Sequence, residues 1–449
     1  MTATAEPVLE RLAVRLHPAH PGGPDPSTLL GLAVRYNPKR AQLLVSRVLG
    51  KHVPTDPRIV RAAGQLLGAR VADVLAGREP RELPWPLLAA ALDGGADDAA
   101  AAAAVLARCA LDAVSPTDAL VLGFAETATA LGHTVAEALV ADYLHSTRRP
   151  VPGFAPVGGF TEEHSHATEH MLLPAGTALL RGDRPLVLVD DELSTGRTAL
   201  NTIAALHAIA PRQRYVVASL VDVRGADTAL ADGVAALGAD LDVVCLARAH
   251  VELPADLAER ADGIRAGAVP PTGPQGGGSG RPAERVLLTD LGWPAGLPVG
   301  GRHGFRDADH ALLDAVLPRI ARRVAAIAGL GPQDRTLVLG TEELMAVPLR
   351  LAQTLADDGA AVAFSTTTRS PAVVVDEPGY ALRSGITFPA HDDPADGPGP
   401  RYAYNVAGDW QHVLVVVDPP ADTPELRTGL LAALAGAVPS ARITVVVTP

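Results

Sequence analysis

The run Leu186–Asn201, "LVLVDDELSTGRTALN", limits the folds open to this chain more than any other stretch. Leu186–Val189 predicts a buried strand, two carboxylates follow, and Ser194-Thr195-Gly196-Arg197-Thr198 opens a helix. Further short apolar runs at Ala119–Leu122, Tyr143–Thr147, Tyr215–Val221 and Leu241–Leu246 read as strands. Helical patterns separate them, as in Thr127–Tyr143 and Arg197–Ala210. Such alternation predicts an α/β fold with a parallel sheet, whose ligands sit beyond the carboxyl ends of the strands. Backbone N–H groups at the Thr198 helix start, with the helix dipole behind them, predict an anion site. Gly196 permits close approach, and Ser194, Thr195 and Thr198 add hydroxyl donors. Asp190 and Asp191 are placed to accept from sugar hydroxyls. A plain strand, an Asp-rich turn and a Ser/Thr cap is the simpler alternative, and it explains only part of the string.

At 449 residues the chain predicts two or three domains. The stretch Gly267–Arg285, dominated by Pro and Gly, reads as a linker between residues 1–266 and 286–449. A net charge of −12 speaks against nucleic acid as a partner. Cys109 and Cys245 are the only cysteines, which excludes disulfide scaffolds and cysteine zinc sites. Lys39 and Lys51 are the only lysines, and no phosphate-loop pattern ending in Gly-Lys-Ser/Thr occurs. Met1–Gly23 shows no secretion signal and no apolar run reaches membrane-spanning length, so a cytoplasmic protein is expected. The alanine-rich tract Asp97–Leu111 predicts a helix, and His391–Arg401 a loop.

Four other segments are candidates for ligand contact. Gly123-Phe124-Ala125-Glu126-Thr127 follows a strand, and Arg148-Arg149-Pro150 follows another, where a guanidinium can pair with phosphate. Gly153–Leu173 is polar, with His164, His166, Glu169 and His170 clustered in it. Donors to a ligand, a solvated loop and a metal site are all open for that cluster. Val34–His52 is expected to carry an amphipathic helix over Leu43–Leu49, with Arg40, Arg47 and Lys51 beside it.

The Leu186–Asn201 run resembles the phosphoribosyl-pyrophosphate (PRPP) signature of type I phosphoribosyltransferases. "VRYNPKRAQLLVSRVLGKH", "GFAETATALGH" and "EEHSHATEH" resemble the subgroup found in bacterial tellurium-resistance and stress gene clusters. Thr368-Arg369-Ser370-Pro371 matches the motif of the TRSP domain that follows those enzymes. The resemblance implies a type I phosphoribosyltransferase fold over 1–266, with an N-terminal hood, and a TRSP domain over 286–449. It implies phosphoribosyl transfer from PRPP to an unidentified, base-like acceptor, with release of pyrophosphate. Asp190 and Asp191 would hold the ribose, and Ser194–Thr198 the 5′-phosphate. Phe124, Ala125, Glu126 and Thr127 with Arg148 and Arg149 would face pyrophosphate, and the His-rich segment would form a lid. Mg²⁺ would arrive on PRPP with no protein metal cage. Small molecules are the expected partners, and a homodimer is compatible with the family. The rivals are a PRPP or nucleotide sensor without transfer activity, and a ribosyl-phosphate hydrolase.

The second part repeats the first in outline. "LVLGTEE" parallels "LVLGFAE", Thr367–Pro371 parallels Ser146–Pro150, and the run from Val413 parallels the signature. Pro419 and Pro424 replace an acid and the glycine, which removes backbone donors. A degenerate second copy of the fold is therefore expected, with Glu342, Glu343, Arg369 and Ser370 lining a cleft of altered chemistry.

Overall fold

The computed structural model describes residues 7–21, 23–37, 40–94, 96–111, 116–161, 169–274, 283–392 and 399–449. The first half holds strands β1 (Arg15–Pro18), β2 (Leu30–Val34), β3 (Gln42–Ser46), β4 (Leu120–Gly123) and β5 (Asp142–His145). It continues with β6 (Gly158–Thr161), β7 (Glu169–Leu172), β8 (Leu186–Leu193), β9 (Arg214–Asp222) and β10 (Asp240–Glu252). Its main sheet runs β5-β4-β8-β9-β10, all parallel, with β1 antiparallel on the β10 edge. The central strands read as unbroken apolar runs because helices cover both faces, and Leu186–Val189 has no exposed surface.

The second half holds β11 (Glu284–Leu287), β12 (Arg335–Gly340), β13 (Ala361–Thr366), β14 (Gly385–Pro389), β15 (Pro400–Tyr404), β16 (His412–Val417) and β17 (Arg442–Val447). Its sheet runs β13-β12-β16-β17-β11, again all parallel. The order matches the first sheet strand for strand, except that β11 enters from the start of its half to take the place of β10. Local hydrogen bonds match as well. Ser146 N donates to Gly123 O at 3.0 Å, and Thr367 N to Gly340 O at 3.0 Å. Ala125 N donates to Ser146 Oγ at 3.0 Å, and Glu342 N to Thr367 Oγ1 at 3.1 Å. Each half also carries an antiparallel hairpin, β6–β7 between β5 and β8 in the first and β14–β15 between β13 and β16 in the second.

The halves close each other's sheet edges. Phe305, just ahead of the helix Asp307–Ala328, exchanges two backbone bonds with Tyr143 on β5, at 2.7 and 2.8 Å. Thr55, just ahead of the helix Pro57–Leu75, does the same with Phe364 on β13, at 3.0 and 2.8 Å. Each bridge covers one residue of an otherwise open edge strand. One continuous core joins Leu66, Leu131 and Val135 of the first half to Leu313, Val347 and Leu351 of the second. Gly68 lets two helices touch there: a Cβ on it would lie 2.7 Å from the Ala138 Cβ.

Several elements differ from expectation. Leu43–Leu49 is not a helix: Gln42–Ser46 is β3, paired with β2, and burial alternates along it, with Leu43 and Val45 inside. The helix expected over Thr127–Tyr143 spans Thr129–Leu139, because Val140 turns left-handed at φ 51° and β5 follows. The strand before the signature helix runs on to Leu193, so Asp190 and Asp191 lie on extended backbone opposite β9. The linker is partly tied down: Thr272 bonds to Gly385 and Thr387 on β14, and β11 begins at Glu284. The segment Gly153–Leu173 is anchored at its roots, where Phe160, Leu172 and Leu173 are buried. His164 and His166 lie outside the described residues.

Candidate active site

The carboxyl ends of β4, β5 and β8 open into a cleft of about 510 Å³. At its floor β8 passes through Ser194-Thr195-Gly196 into the helix Arg197–Ile209. Gly196 occupies the helix N-cap at φ 73°, a conformation costly for residues with a Cβ. The loop thus presents its backbone to the cleft, with Ser194, Thr195, Arg197 and Thr198 lining the same wall. Asp190 and Asp191 stand beside it, half-buried, and the Asp191 amide donates to Asp190 Oδ1 at 2.9 Å.

The β4 loop forms the adjoining wall with Phe124–Thr127. The Ala125 amide is taken up by Ser146, so this expected pyrophosphate donor is engaged inside the protein. Ser146 Oγ also meets His170 Nδ1 at 2.9 Å, and Arg148 lies 3.3 Å from His170 Nε2. Lys51 reaches this corner from the segment after β3 and donates to Thr127 Oγ1 at 2.6 Å. Burial pulls its ammonium below the usual lysine range, while Glu126 and Asp191 act to hold the charge on. Arg40 pairs with Glu192 at 3.3 Å, and burial pushes the Glu192 carboxyl up.

The two neighbouring arginines part company. Arg148 lines the cleft, whereas Arg149 turns into the second half, pairing with Asp418 at 2.9 Å and with Asp392. Asp418 follows the apolar run of β16 as the acidic pair follows that of β8, and here that strand end meets a guanidinium from the first half. Thr423 caps its own helix and donates to His391 O at 2.6 Å. Glu342 and Glu343, expected to line a cleft, are both buried in ion pairs with arginines of their own half, Glu342 with Arg369 and Arg401 and Glu343 with Arg302. Glu343 accepts from Thr147 Oγ1 at 2.7 Å and the Arg148 amide at 2.9 Å, and pairs with Arg302 at 3.0 Å. Burial alone would raise its carboxyl, but these partners outweigh that and hold it at about 2. Arg369 and Ser370, together with Arg401 and Tyr402, line the first half's cleft instead.

Sequence reasoning missed Arg35, His52, Arg401 and Tyr402 in this lining. One signal was available. Gly50-Lys51-His52 and Gly301-Arg302-His303 each precede a long helix, and Lys51 and Arg302 each reach a strand-loop residue. The repeat therefore begins well upstream of Leu337.

Among the described residues seven cationic side chains and four carboxylates line the cleft, in a chain of net charge −12. Such local reversal of charge favours a polyanion. Among the described residues no group of three or more His, Cys, Asp or Glu could hold a metal ion. The oxygen donors Asp190 and Asp191 suit a hard cation carried in with a ligand.

A parallel sheet, a helix start facing a cation-lined cleft and an acidic pair beside it define a sugar-phosphate-binding α/β protein. Residues 29–250 match the family described as Phosphoribosyl transferase, and residues 299–434 the TRSP domain C-terminal to it. The chain belongs to this family of phosphoribosyltransferases followed by a TRSP domain. No curated protein matches it. Among solved structures it is similar to adenine phosphoribosyltransferase from Giardia lamblia complexed with 9-deazaadenine. That match has 21% identity over 32% of this chain and 81% of that one, with a TM-score of 0.23. It is also similar to the Trypanosoma brucei enzyme in complex with AMP, pyrophosphate and ribose-5-phosphate. There the identity is 19% over 30% of this chain, with a TM-score of 0.22, and the match spans 58% of that chain. The Thermoanaerobacter pseudethanolicus enzyme shows 15% identity over 32% and 77% of the two chains, at a TM-score of 0.23. Among the described residues no helix is long and apolar enough to cross a membrane.

Proposed function

We propose that the protein transfers the phosphoribosyl group of PRPP to a base-like acceptor and releases pyrophosphate. The observation that carries this reading is the concentration of positive charge around a helix start and an acidic pair, within one cleft of an acidic chain. Ser194–Thr198 hold the 5′-phosphate through backbone and hydroxyl donors. Asp190 and Asp191 accept from the ribose hydroxyls and orient the sugar. Lys51 and Arg148 take the pyrophosphate, and their charge stabilises it as the anomeric bond breaks. Mg²⁺ bound with PRPP supplies further charge neutralisation on the leaving group. No protein nucleophile is needed, because positioning and leaving-group stabilisation supply the catalysis. His170, held by Ser146 at the root of the hairpin, fixes Arg148 in the corner. A cytoplasmic biosynthetic role linked to tellurium resistance or stress is part of the same proposal, and it rests on the resemblance of the sequence motifs alone.

The test is pyrophosphate release by the purified chain. Release that requires PRPP, Mg²⁺ and a small-molecule fraction of cell extract is expected. Release without any acceptor identifies a hydrolase, and binding without release a sensor.

A further inference from the structure

The pyrophosphate end of the cleft holds an acid where the ligand brings only negative charge. Glu126 is buried and lines the cleft, and burial and the nearby Glu342 push its carboxyl upward. Two carboxylates and a polyphosphate repel one another in a water-poor corner unless cations stand between them. Lys51 and Arg148 of the first half act on Glu126, and the second half supplies the cations in ion-pair contact with the two carboxylates. Arg369 Nε lies 2.8 Å from Glu126 Oε1 and also bonds Glu342, and Arg401 Nε donates to Glu342 Oε1 at 2.6 Å. Charges thus alternate Arg401, Glu342, Arg369, Glu126, from the second half's hairpin into the first half's loop. Thr368 and Tyr402 exchange backbone bonds at 2.8 Å each, which sets the two arginines beside one another.

We propose that Arg369 is a positioning residue for the first half's cleft, a cation from the second half that keeps the Glu126 carboxylate neutralised where pyrophosphate must sit. The inference rests on the reading of this cleft as a PRPP site. It also gives the second half a task. With Asp418 paired to Arg149, that half completes its neighbour's site instead of forming its own.

The test is calorimetric titration of the full-length protein with PRPP and Mg²⁺. Arg369→Met is expected to weaken binding by at least about tenfold, since the buried Glu126 carboxylate then loses its ion-pair partner and draws on the Lys51 and Arg148 charges meant for the ligand. Adding Glu126→Gln to that variant is expected to restore affinity to within about threefold of wild type, because the carboxylate facing the ligand is gone and Glu342 keeps Arg401. Wild-type affinity in Arg369→Met, or a double variant no better than the single, overturns the inference. Should the single variant fail to melt cooperatively, the double variant decides alone: affinity within about threefold supports the inference and a loss beyond about tenfold refutes it. A wild-type protein that does not bind PRPP overturns the transfer reading and this inference with it, an outcome distinct from wild-type binding that ignores Arg369.

Discussion

Substituting Gly196 by alanine separates the cost of a strained backbone from the loss of a phosphate cradle. Gly196 sits at φ 73°, where a Cβ costs roughly 1–2 kcal/mol. The added methyl would also lie 3.1 Å from the Cβ and Cδ2 of Leu230, so that side chain has to give way. The loop has two responses. It can keep its shape and lower stability, or relax to negative φ and rotate the helix-start amides away from the ligand. Losing one amide bond to a phosphate removes about 1.5–3 kcal/mol, or roughly 10- to 150-fold in PRPP affinity. Gly182→Ala supplies the control, because Gly182 has φ 97°, a methyl added there would meet no heavy atom within 4 Å, and the residue is not in the cleft lining. Thermal unfolding with calorimetric titration of PRPP and Mg²⁺ reads both quantities. Both variants are expected to melt a few degrees lower, and only Gly196→Ala to bind more weakly. Undiminished affinity in Gly196→Ala would refute the assignment of the phosphate to this loop.

Asp190→Asn with Asp191→Asn is expected to lower turnover by at least about 10³-fold with an unchanged circular dichroism melt, and most of the wild-type rate surviving would rule out their sugar-orienting role. Arg149→Ala removes the guanidinium shared by Asp418 and the buried Asp392, which keeps Arg401 at 4.0 Å, and urea unfolding should show about 3 kcal/mol of lost stability. A loss under about 1 kcal/mol would show that the pair is not structural. Glu343 is held at about 2 against an ordinary value of 4.5, so its contribution is complete above pH 4.5 and fades as pH falls toward 2. That amounts to about 3 kcal/mol, and Glu343→Gln should flatten the acid limb of stability measured from pH 6 to pH 3, whereas an unaltered slope would contradict the pairing.

The parts legible in the sequence were the local ones. Leu186–Thr198 declares itself because its strand, acids and helix start are consecutive, and each follows from neighbouring residues alone. The parallel order of β12, β13, β16 and β17 was readable from the repeat for the same reason. Leu43–Leu49 misled because its apolar residues satisfy a helical stripe, while pairing with Leu30–Val34 selects the strand. The destinations of Arg149 and Arg369 could not be read at all. Their partners Asp418 and Glu126 lie hundreds of residues away, and only the docking of the halves brings them together. Lys51 was expected beside a helix over Leu43–Leu49, yet it is buried against Thr127, in a segment held where Thr55, four residues on, pairs with Phe364.

Label tracing tests the central claim most directly. PRPP carrying a radioactive 5′-phosphate is incubated with the protein, Mg²⁺ and a small-molecule extract, and the label and pyrophosphate are followed together. The account predicts that label moves into a new acceptor-bound species in step with pyrophosphate, and that the Asp190→Asn, Asp191→Asn variant forms neither. Label recovered only as ribose 5-phosphate, or remaining in PRPP that the protein binds tightly, would contradict it.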